Sequence, residues 1–334
     1  MSKNIFRLTV VALVLTFIVV TLGAYVRLSH AGLGCPDWPG CYGHLDVPLT
    51  DREITTANQN YPERAVEVDK AWKEMIHRYV AGILGLLILA ITVMTWMSKR
   101  ASGGDKALSL GLLFVVTFQA VLGMWTVTLL LKPLVVTAHL LGGMTVFSLL
   151  TLYALKQSHW RVPQNGDLFK LKSMVYALLA VVVVQIALGG WTSTNYAALA
   201  CYGFPLCSGQ LAPAVDFSDA FVLWRGLGID YEGGVLDHPA RVAIHLTHRL
   251  WAVIVFLMVI GTAIAVFKRS RLSIARNTAL TLVALVIGQW ILGIINVSAG
   301  LPLWAATAHN GGAALLLSAT LFMLYLTYRS ETPA

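Results

Sequence analysis

Long apolar segments alternate with shorter polar stretches along the whole chain. Each segment holds about 20 mostly apolar residues, the length that a helix needs to cross the hydrocarbon core of a bilayer. Such runs are too long and too continuous for the alternating strands of a membrane barrel. The eight segments lie near residues 6–26, 75–97, 107–128, 134–155, 172–193, 242–266, 277–297 and 304–327. The pattern therefore predicts an all-α membrane protein with eight transmembrane helices.

The second half of the chain repeats the first. EMIHRYVAG at 74–82 matches HLTHRLWAV at 245–253, and TAHLLGG at 137–143 matches TAHNGGA at 307–313. Histidine keeps its place in each matched pair of motifs. The sequence is therefore read as a tandem repeat in which each half carries two histidines at helical segments.

The repeat predicts two domains of four spans each. Because an even number of spans returns the chain to its starting side, both halves enter the membrane from the same side, and the repeat is parallel rather than inverted. We predict two parallel-repeat four-helix bundles, 1–160 and 170–330, joined by a polar connection at 157–167. Each half has one long outer loop between its first two spans, at 27–73 and at 194–241.

A shorter sequence motif, which we call the end motif, recurs at the ends of spans one, three, five and seven. These ends read LGAYVRLS at 22–29, LGMWTVT at 122–128, LGGWTST at 188–194 and LGIINVS at 292–298. Three of these glycines are preceded, four residues earlier, by a glutamine: Gln119, Gln185 and Gln289. Small residues let helices approach closely, so we interpret this set as helix packing and hydrogen bonding between helices.

Composition and charge agree with a lipid environment. The chain is 57% hydrophobic and 12% charged, whereas soluble proteins are about 25% charged, and the mean hydropathy is +0.72. Lys and Arg concentrate on the side of the two termini, which the positive-inside rule places in the cytoplasm. The net charge of +8 is thus explained by topology. Nucleic-acid binding would need a clustered basic face with stacking aromatic residues, and no such pattern occurs.

The first span follows Lys3 and Arg7, as the apolar core of a signal peptide would. Its end matches the end of span five, which cannot be a signal peptide, so we expect a retained helix. No Arg-rich and Ser-rich transit sequence precedes it. These features favour a bacterial cytoplasmic (inner) membrane protein whose long loops face the periplasm.

The four cysteines form two pairs of equal spacing, Cys35 with Cys41 and Cys201 with Cys207. Both pairs lie in the long outer loops, on the oxidising side where disulfides persist. We predict the disulfides Cys35–Cys41 and Cys201–Cys207. Free thiols, a metal site and a redox-active first pair are the alternatives. The absence of CxxCH excludes covalent c-type haem attachment.

The matched histidines are the strongest chemical signal. His77 and His139 in the first half correspond to His248 and His309 in the second. Ionisable residues within lipid are costly and usually functional, and paired histidines across a helical bundle suit the two axial positions of haem iron. We predict one haem plane in each half, near the outer side. A packing role is the alternative for each histidine.

Neighbouring residues fit the same interpretation. Arg78 and Arg249 follow the first histidine of each pair, and a guanidinium matches the geometry of a haem propionate; snorkelling to the membrane interface is the alternative. Glycine pairs follow the second histidine and leave space for a flat macrocycle: Gly142 with Gly143, and Gly311 with Gly312.

The halves differ three residues before the first histidine, where Glu74 stands in one half and His245 in the other. This spacing places each on the helix face of its histidine. A carboxylate beside only one of two metal sites indicates one chemical site and one electron-transfer site, with Glu74 as general acid or base. The alternative for Glu74 is a helix N-terminal carboxylate or a partner of Lys70 or Lys73.

The sequence resembles the haem A synthase family. The resemblance rests on GAYVRLSHAGLGCPDWPGC at 23–41, EMIHR at 74–78, TAHLLGG at 137–143, HLTHR at 245–249 and TAHNGG at 307–312. It covers nearly the whole chain, including both cysteine pairs.

The resemblance implies an oxidoreductase that converts the C8 methyl of haem O to a formyl group through a hydroxymethyl intermediate, haem I, for haem-copper terminal oxidases. It implies that His77 and His139 hold haem O beside Glu74, and that His248 and His309 hold a permanent haem B. Either one ligand of the first pair leaves so that oxygen reaches iron, or electrons are removed and water adds to the methyl carbon, with Glu74 as the base.

Other classes and partners stay open at this stage. A di-haem b-type cytochrome that carries electrons from quinol would share the histidines, although Glu74 and the unequal halves fit it less well. A transporter is disfavoured because the halves are parallel and lack broken helices. Haem O synthase is the expected source of substrate and terminal oxidase assembly the expected use. The electron donor, a homo-oligomer and the groove for the farnesyl tail are not indicated by any motif.

Overall fold

The computed structural model describes residues 3–158 and 165–330, which contain helices but no strands. In chain order the helices are α1 (Lys3–Leu28), α2 (Asp51–Asn60), α3 (Val68–Met97), α4 (Gly103–Thr128), α5 (Pro133–Gln157), α6 (Gly166–Phe169), α7 (Lys172–Thr194), α8 (Phe217–Ala220), α9 (His238–Arg269), α10 (Ser273–Ser298) and α11 (Leu303–Arg329). Within these ranges 8 helices are long and apolar enough to cross a membrane. The predicted all-α fold with eight spans is confirmed.

The long helices expose apolar side chains outward and satisfy polar ones internally. Leu86, Phe114 and Leu257 are 68%, 71% and 62% exposed, as lipid-facing residues are. Buried threonines such as Thr16 and Thr95 instead donate their hydroxyl to the carbonyl four residues earlier. In hydrocarbon no water can take that role, so this arrangement suits lipid as the solvent.

Two helices begin earlier than their apolar segments predict. α3 begins at Val68 and α9 at His238, within stretches that the sequence assigns to outer loops. The first turns of α3 are charged, and Lys73 pairs with Asp69 one turn away at 2.5 Å, so hydropathy alone does not reveal them. His77 and His248 consequently lie about three turns inside their helices, not at the starts.

The packing of the helices groups neighbours along the chain. α1 packs on α3 and α5, and α4 packs between α3 and α5; in the same way α7 packs on α9 and α11, and α10 packs between those two. α1, α5, α7 and α11 also make the contacts between these two groups. The division into domains 1–160 and 170–330 and the parallel repeat stay predictions. Residues 159–164 of the predicted connection lie outside the described residues.

Both long loops lie at one end of the helices, which we call the loop side: residues 29–67 between α1 and α3, and 195–237 between α7 and α9. Each loop contains one predicted cysteine pair at disulfide distance. The S–S distances are 2.01 Å for Cys35–Cys41 and 2.11 Å for Cys201–Cys207. Covalent closure shapes each loop above the helix ends.

The two loops are also joined to each other. Arg64 of the first loop forms ion pairs with Asp230 at 3.2 Å and Glu232 at 2.9 Å in the second loop. Inside the first loop, the buried Tyr42 hydroxyl donates to the carbonyl of Ala65 at 3.1 Å. Burial raises the pKa of Tyr42 to about 12. The backbone N–H of Tyr231 in the second loop also donates to the carbonyl of Leu130, which lies between α4 and α5, so the second loop also contacts the first group of helices.

A glutamine of one helix lies against a glycine of the next at two matched places. A Cβ at Gly142 of α5 would stand 1.7 Å from Nε2 of Gln119 in α4, and a Cβ at Gly312 of α11 would stand 1.9 Å from Nε2 of Gln289 in α10. These glycines make room for a glutamine side chain, not for a macrocycle. The prediction that Gly142 and Gly312 leave space for a macrocycle is therefore wrong, because a glutamine of the neighbouring helix occupies each place.

We expect Gly142→Ala to destabilise the protein by about 1–3 kcal/mol, because the new methyl group overpacks against Gln119. Combining it with Gln119→Ala removes the clash and should recover part of the loss. Thermal unfolding in detergent measures both effects. Gly143→Ala is the matched control, since its Cβ would make an ordinary contact of 3.6 Å with Val20. An equally stable Gly142→Ala variant would contradict the prediction.

Candidate functional site

The structure brings the predicted histidines together in two pairs. His77 on α3 lies within electrostatic range of His139 on α5. His248 on α9 lies within the same range of His309 on α11. Each pair is thus made of the second and fourth long helix of its group. Two separate sites result, one in each half of the chain.

Each of these imidazole rings lies against a glycine of a neighbouring helix. These are the four glycines of the end motif. A Cβ at the glycine would approach Cε1 of the ring as follows: Gly23 and His77 at 3.0 Å, Gly123 and His139 at 3.4 Å, Gly189 and His248 at 3.2 Å, and Gly293 and His309 at 3.7 Å. The end motif therefore places a glycine where a histidine ring lies against the backbone of the neighbouring helix. This role is more specific than helix packing alone.

The ring nitrogens test whether a haem suits these sites. Among the described residues, Nδ1 of His77, His139 and His309 is buried and has no hydrogen-bond partner. Nδ1 of His248 lies 3.3 Å from Nε2 of Gln185. Buried polar atoms without partners are rare in proteins, and a neutral imidazole nitrogen is a good iron ligand. Paired imidazoles supply the two axial ligands of a haem iron, so the residues fit this group.

Glu74 and Arg78 fasten the first cysteine loop to the helix of His77. The Glu74 side chain, only 5% exposed, accepts from the backbone N–H of Cys35 at 3.0 Å and pairs with Arg78 at 2.5 Å. Nη1 of Arg78 donates to the carbonyls of Asp37 and Gly40 at 3.0 and 2.6 Å. Lys70 and Lys73, the partners considered from sequence, pair with other carboxylates.

The second half has the same arrangement with an imidazole in place of the carboxylate. His245 places Nδ1 2.9 Å from the carbonyl of Ala197, and its Nε2 accepts from Nε of Arg249 at 2.9 Å. Nη2 of Arg249 donates to the carbonyls of Cys201 and Gly203. These bonds assign a neutral His245 with its proton on Nδ1. Its lone pair is occupied by Arg249, and helix α9 itself contains no carboxylate residue.

These contacts determine which donors Arg78 and Arg249 can offer to a haem propionate. Both Nη atoms of Arg78 already have protein acceptors, so a haem carboxylate at Arg78 would compete with the loop. Nη1 of Arg249 is buried without a partner among the described residues, so it has a donor to offer. A role of either arginine toward propionates stays a prediction.

Sequence reasoning missed a cluster between the two sites. Nη2 of Arg27 at the end of α1 donates to the carbonyl of Ser193 in α7 at 2.9 Å, and its guanidinium lies 4.2 Å from the ring centroid of Tyr196. Of the four end motifs, only the first contains an arginine. This difference between the motifs was the sequence signal that pointed to Arg27.

Known proteins resemble this chain over nearly its whole length. The chain is similar to a protein named Heme A synthase from Shewanella oneidensis, with 44% identity over 323 residues that cover 96% of each chain. It is similar to Heme A synthase from Maricaulis maris, with 28% identity over 93% of this chain and 92% of the relative. Heme A synthase from Alkalihalophilus pseudofirmus is 26% identical over 98% of this chain and 99% of the relative. The family model of COX15-CtaA, described as cytochrome oxidase assembly protein, matches residues 6–321. The chain therefore belongs to the COX15-CtaA family of cytochrome oxidase assembly proteins.

Proposed function

We propose that this multi-pass inner-membrane protein is a haem A synthase, an oxidoreductase that converts a methyl group of haem O to the formyl group of haem A for terminal oxidases. The observation that carries the proposal is the pair of glycine-backed histidine sites, of which only one has a buried carboxylate on its ligand helix. The relatives over nearly the whole chain are named Heme A synthase, and the family serves cytochrome oxidase assembly.

The first half is proposed to hold the substrate. His77 and His139 would ligate haem O, and His248 and His309 would ligate haem B, which supplies electron transfer when bound. Glu74 supports this assignment, because its counterpart His245 is held neutral by hydrogen bonds on both ring nitrogens. A reaction that releases protons needs an acceptor near the reacting carbon, and only the first half provides one.

A second difference between the halves supports the same assignment. Phe256 on α9 and Trp290 on α10 pack with ring centroids 5.3 Å apart. Counted from the ligand histidine and the ring-facing glycine, the matching positions are Gly85 on α3 and Ala120 on α4. A Cβ at Gly85 would meet no atom within 4 Å. The first half thus has small residues, with open space at Gly85, at the two places where the second half has packed aromatic rings. Haem O differs from haem B by a long farnesyl tail.

Glu74 is proposed to act on water. Its carboxylate is held by the backbone of Gly34 and Cys35 and by Arg78, which still leaves it able to accept another hydrogen bond, because a carboxylate can accept about four. Glu74 would orient a water molecule and take its proton as the oxygen atom bonds to the methyl carbon of the substrate. That carbon would first give up two electrons and one proton, and the electrons would leave through the haem at His248 and His309 to an electron acceptor outside this chain. Arg78 keeps the carboxylate in position on the cysteine loop.

The orientation and partners are part of the proposal. The termini are placed in the cytoplasm and the loop side in the periplasm, where the disulfide distances of both cysteine pairs suit an oxidising compartment. Both sites then lie toward the periplasmic side. Haem O synthase is proposed to deliver the substrate, because the tail makes haem O a lipid-soluble molecule. Cross-linking followed by purification would recover the two enzymes together.

Haem extraction from the purified protein, expressed with a source of haem O, tests the function directly. We expect haem B together with haem O, haem I or haem A, separated by chromatography with mass detection. The two sites hold different haems in this proposal, so both kinds must appear. Haem B alone would instead identify a di-haem cytochrome that carries electrons.

We expect Glu74→Gln to retain haem O and haem B but to lose haem A formation by roughly 100-fold, the scale of general base catalysis. The amide oxygen can still accept from the Cys35 N–H, so the loop should stay in place. The conversion of haem O to haem A is measured per mole of bound haem O. Glu67→Gln is the matched control, because Glu67 is exposed and pairs only with Lys70 in the described structure. Normal haem A formation by Glu74→Gln would remove the catalytic role.

Filling the space between α3 and α4 should exclude haem O. We expect the double variant Gly85→Phe and Ala120→Trp, which copies the second half, to lose bound haem O while haem B stays at the level of the unmodified protein. The haem O to haem B ratio after extraction measures this. Gly111→Phe is the control, since Gly111 also faces open space on α4. An unchanged ratio in the double variant would refute the assignment of the tail to this space.

A further inference from the structure

Arg27 lies between the two histidine sites. It stands four residues after Gly23, so it is about one helical turn from the contact with His77, toward the loop side. It donates to the carbonyl of Ser193, which stands four residues after Gly189, the glycine against His248. The guanidinium is therefore within about one turn of both sites.

The protein leaves part of this guanidinium unsatisfied. Among the described residues, Nε of Arg27 and the hydroxyl of Tyr196 are buried and have no hydrogen-bond partner. The Arg27 guanidinium and the Tyr196 ring are 4.2 Å apart, so both unused donors belong to one cluster. Donors that native proteins bury are almost always paired, which indicates an acceptor that is not part of this chain.

The charge of Arg27 is also without a carboxylate partner in the described structure. Glu232 is the acidic residue within electrostatic range of Arg27, and it forms its ion pair with Arg64 at 2.9 Å. Arg27 is half-buried, and a cation that is largely removed from water is normally accompanied by an anion that hydrogen-bonds to it. The missing acceptor should therefore be negatively charged.

We propose that Arg27, with the Tyr196 hydroxyl, binds a propionate carboxylate of the haem that His77 and His139 hold. A guanidinium and a carboxylate form strong, directional hydrogen bonds, and the cluster lies on the loop side of the His77 ring. Arg27 is a positioning residue in this role: it fixes the rotation of the macrocycle and hence which methyl group faces Glu74. The inference rests on the proposed function for the identity of the bound haem.

The first test compares the haem content of variants of the full chain, expressed with a source of haem O. We expect Arg27→Gln to lower the ratio of haem O to haem B by roughly tenfold, because the amide cannot pair with a carboxylate as a cation does. Arg27→Lys should recover most of the ratio. Arg52→Gln is the control, since Arg52 belongs to the same half but is exposed on α2. An unchanged ratio in Arg27→Gln would overturn the proposal.

The second test separates carboxylate binding from a purely structural contact with Ser193. Haem B and its dimethyl ester are titrated into the full chain purified from cells that make no haem O. We expect the unmodified protein to bind the free acid roughly tenfold more tightly than the ester, and Arg27→Gln to bind both alike. Equal binding of acid and ester by the unmodified protein, or the same preference in Arg27→Gln, would overturn the proposal.

The outcomes of these tests distinguish the proposed function from the proposed role of Arg27. An unmodified protein that never contains haem O would refute the proposed function, and the ester titration would still decide whether Arg27 binds a haem carboxylate. A protein that contains haem O but ignores the ester modification would refute only the role of Arg27.

Discussion

The fit of four imidazole rings against four glycines is the constraint on which the rest of the structure depends. In hydrocarbon no water is available to solvate a misplaced ring, so helix packing alone must hold each histidine in position. Gly23, Gly123, Gly189 and Gly293 let the ring of the neighbouring helix approach the backbone. This contact fixes the spacing of α1 to α3 and of α4 to α5, and likewise of their counterparts in the second half.

The loops are fastened to the same helices that carry His77 and His248. Arg78 and Arg249 each directly follow one of these histidines and donate to backbone carbonyls of a cysteine-stapled loop. Each arginine is supported one turn earlier on the helix, by Glu74 in one half and by His245 in the other. Loop position and ligand position are therefore coupled, and the residue that supports the arginine could diverge without loss of the arrangement.

That divergence separates the two halves chemically. A carboxylate that keeps spare lone pairs can accept a proton, whereas an imidazole that is bonded through both nitrogens cannot. The open space at Gly85 and the filled space at Phe256 and Trp290 differ in the same sense. In the proposed function, these few differences within a shared framework let one half hold the substrate and the other half the permanent haem.

The sequence by itself determined the eight spans and the two cysteine pairs, because apolar length and spacing are local properties, and its repetition predicted the matched histidines. The sequence pattern did not predict the helix starts at Val68 and His238, because the first turns of these helices lie outside the apolar runs. Only the tertiary structure decided that Gly142 and Gly312 receive glutamines, that Arg78 and Arg249 bind loop carbonyls, and that Arg27 lies between the sites. Helices that are apolar on every side carry no periodic signal for which face meets which neighbour, so these contacts follow from packing that the sequence pattern does not encode.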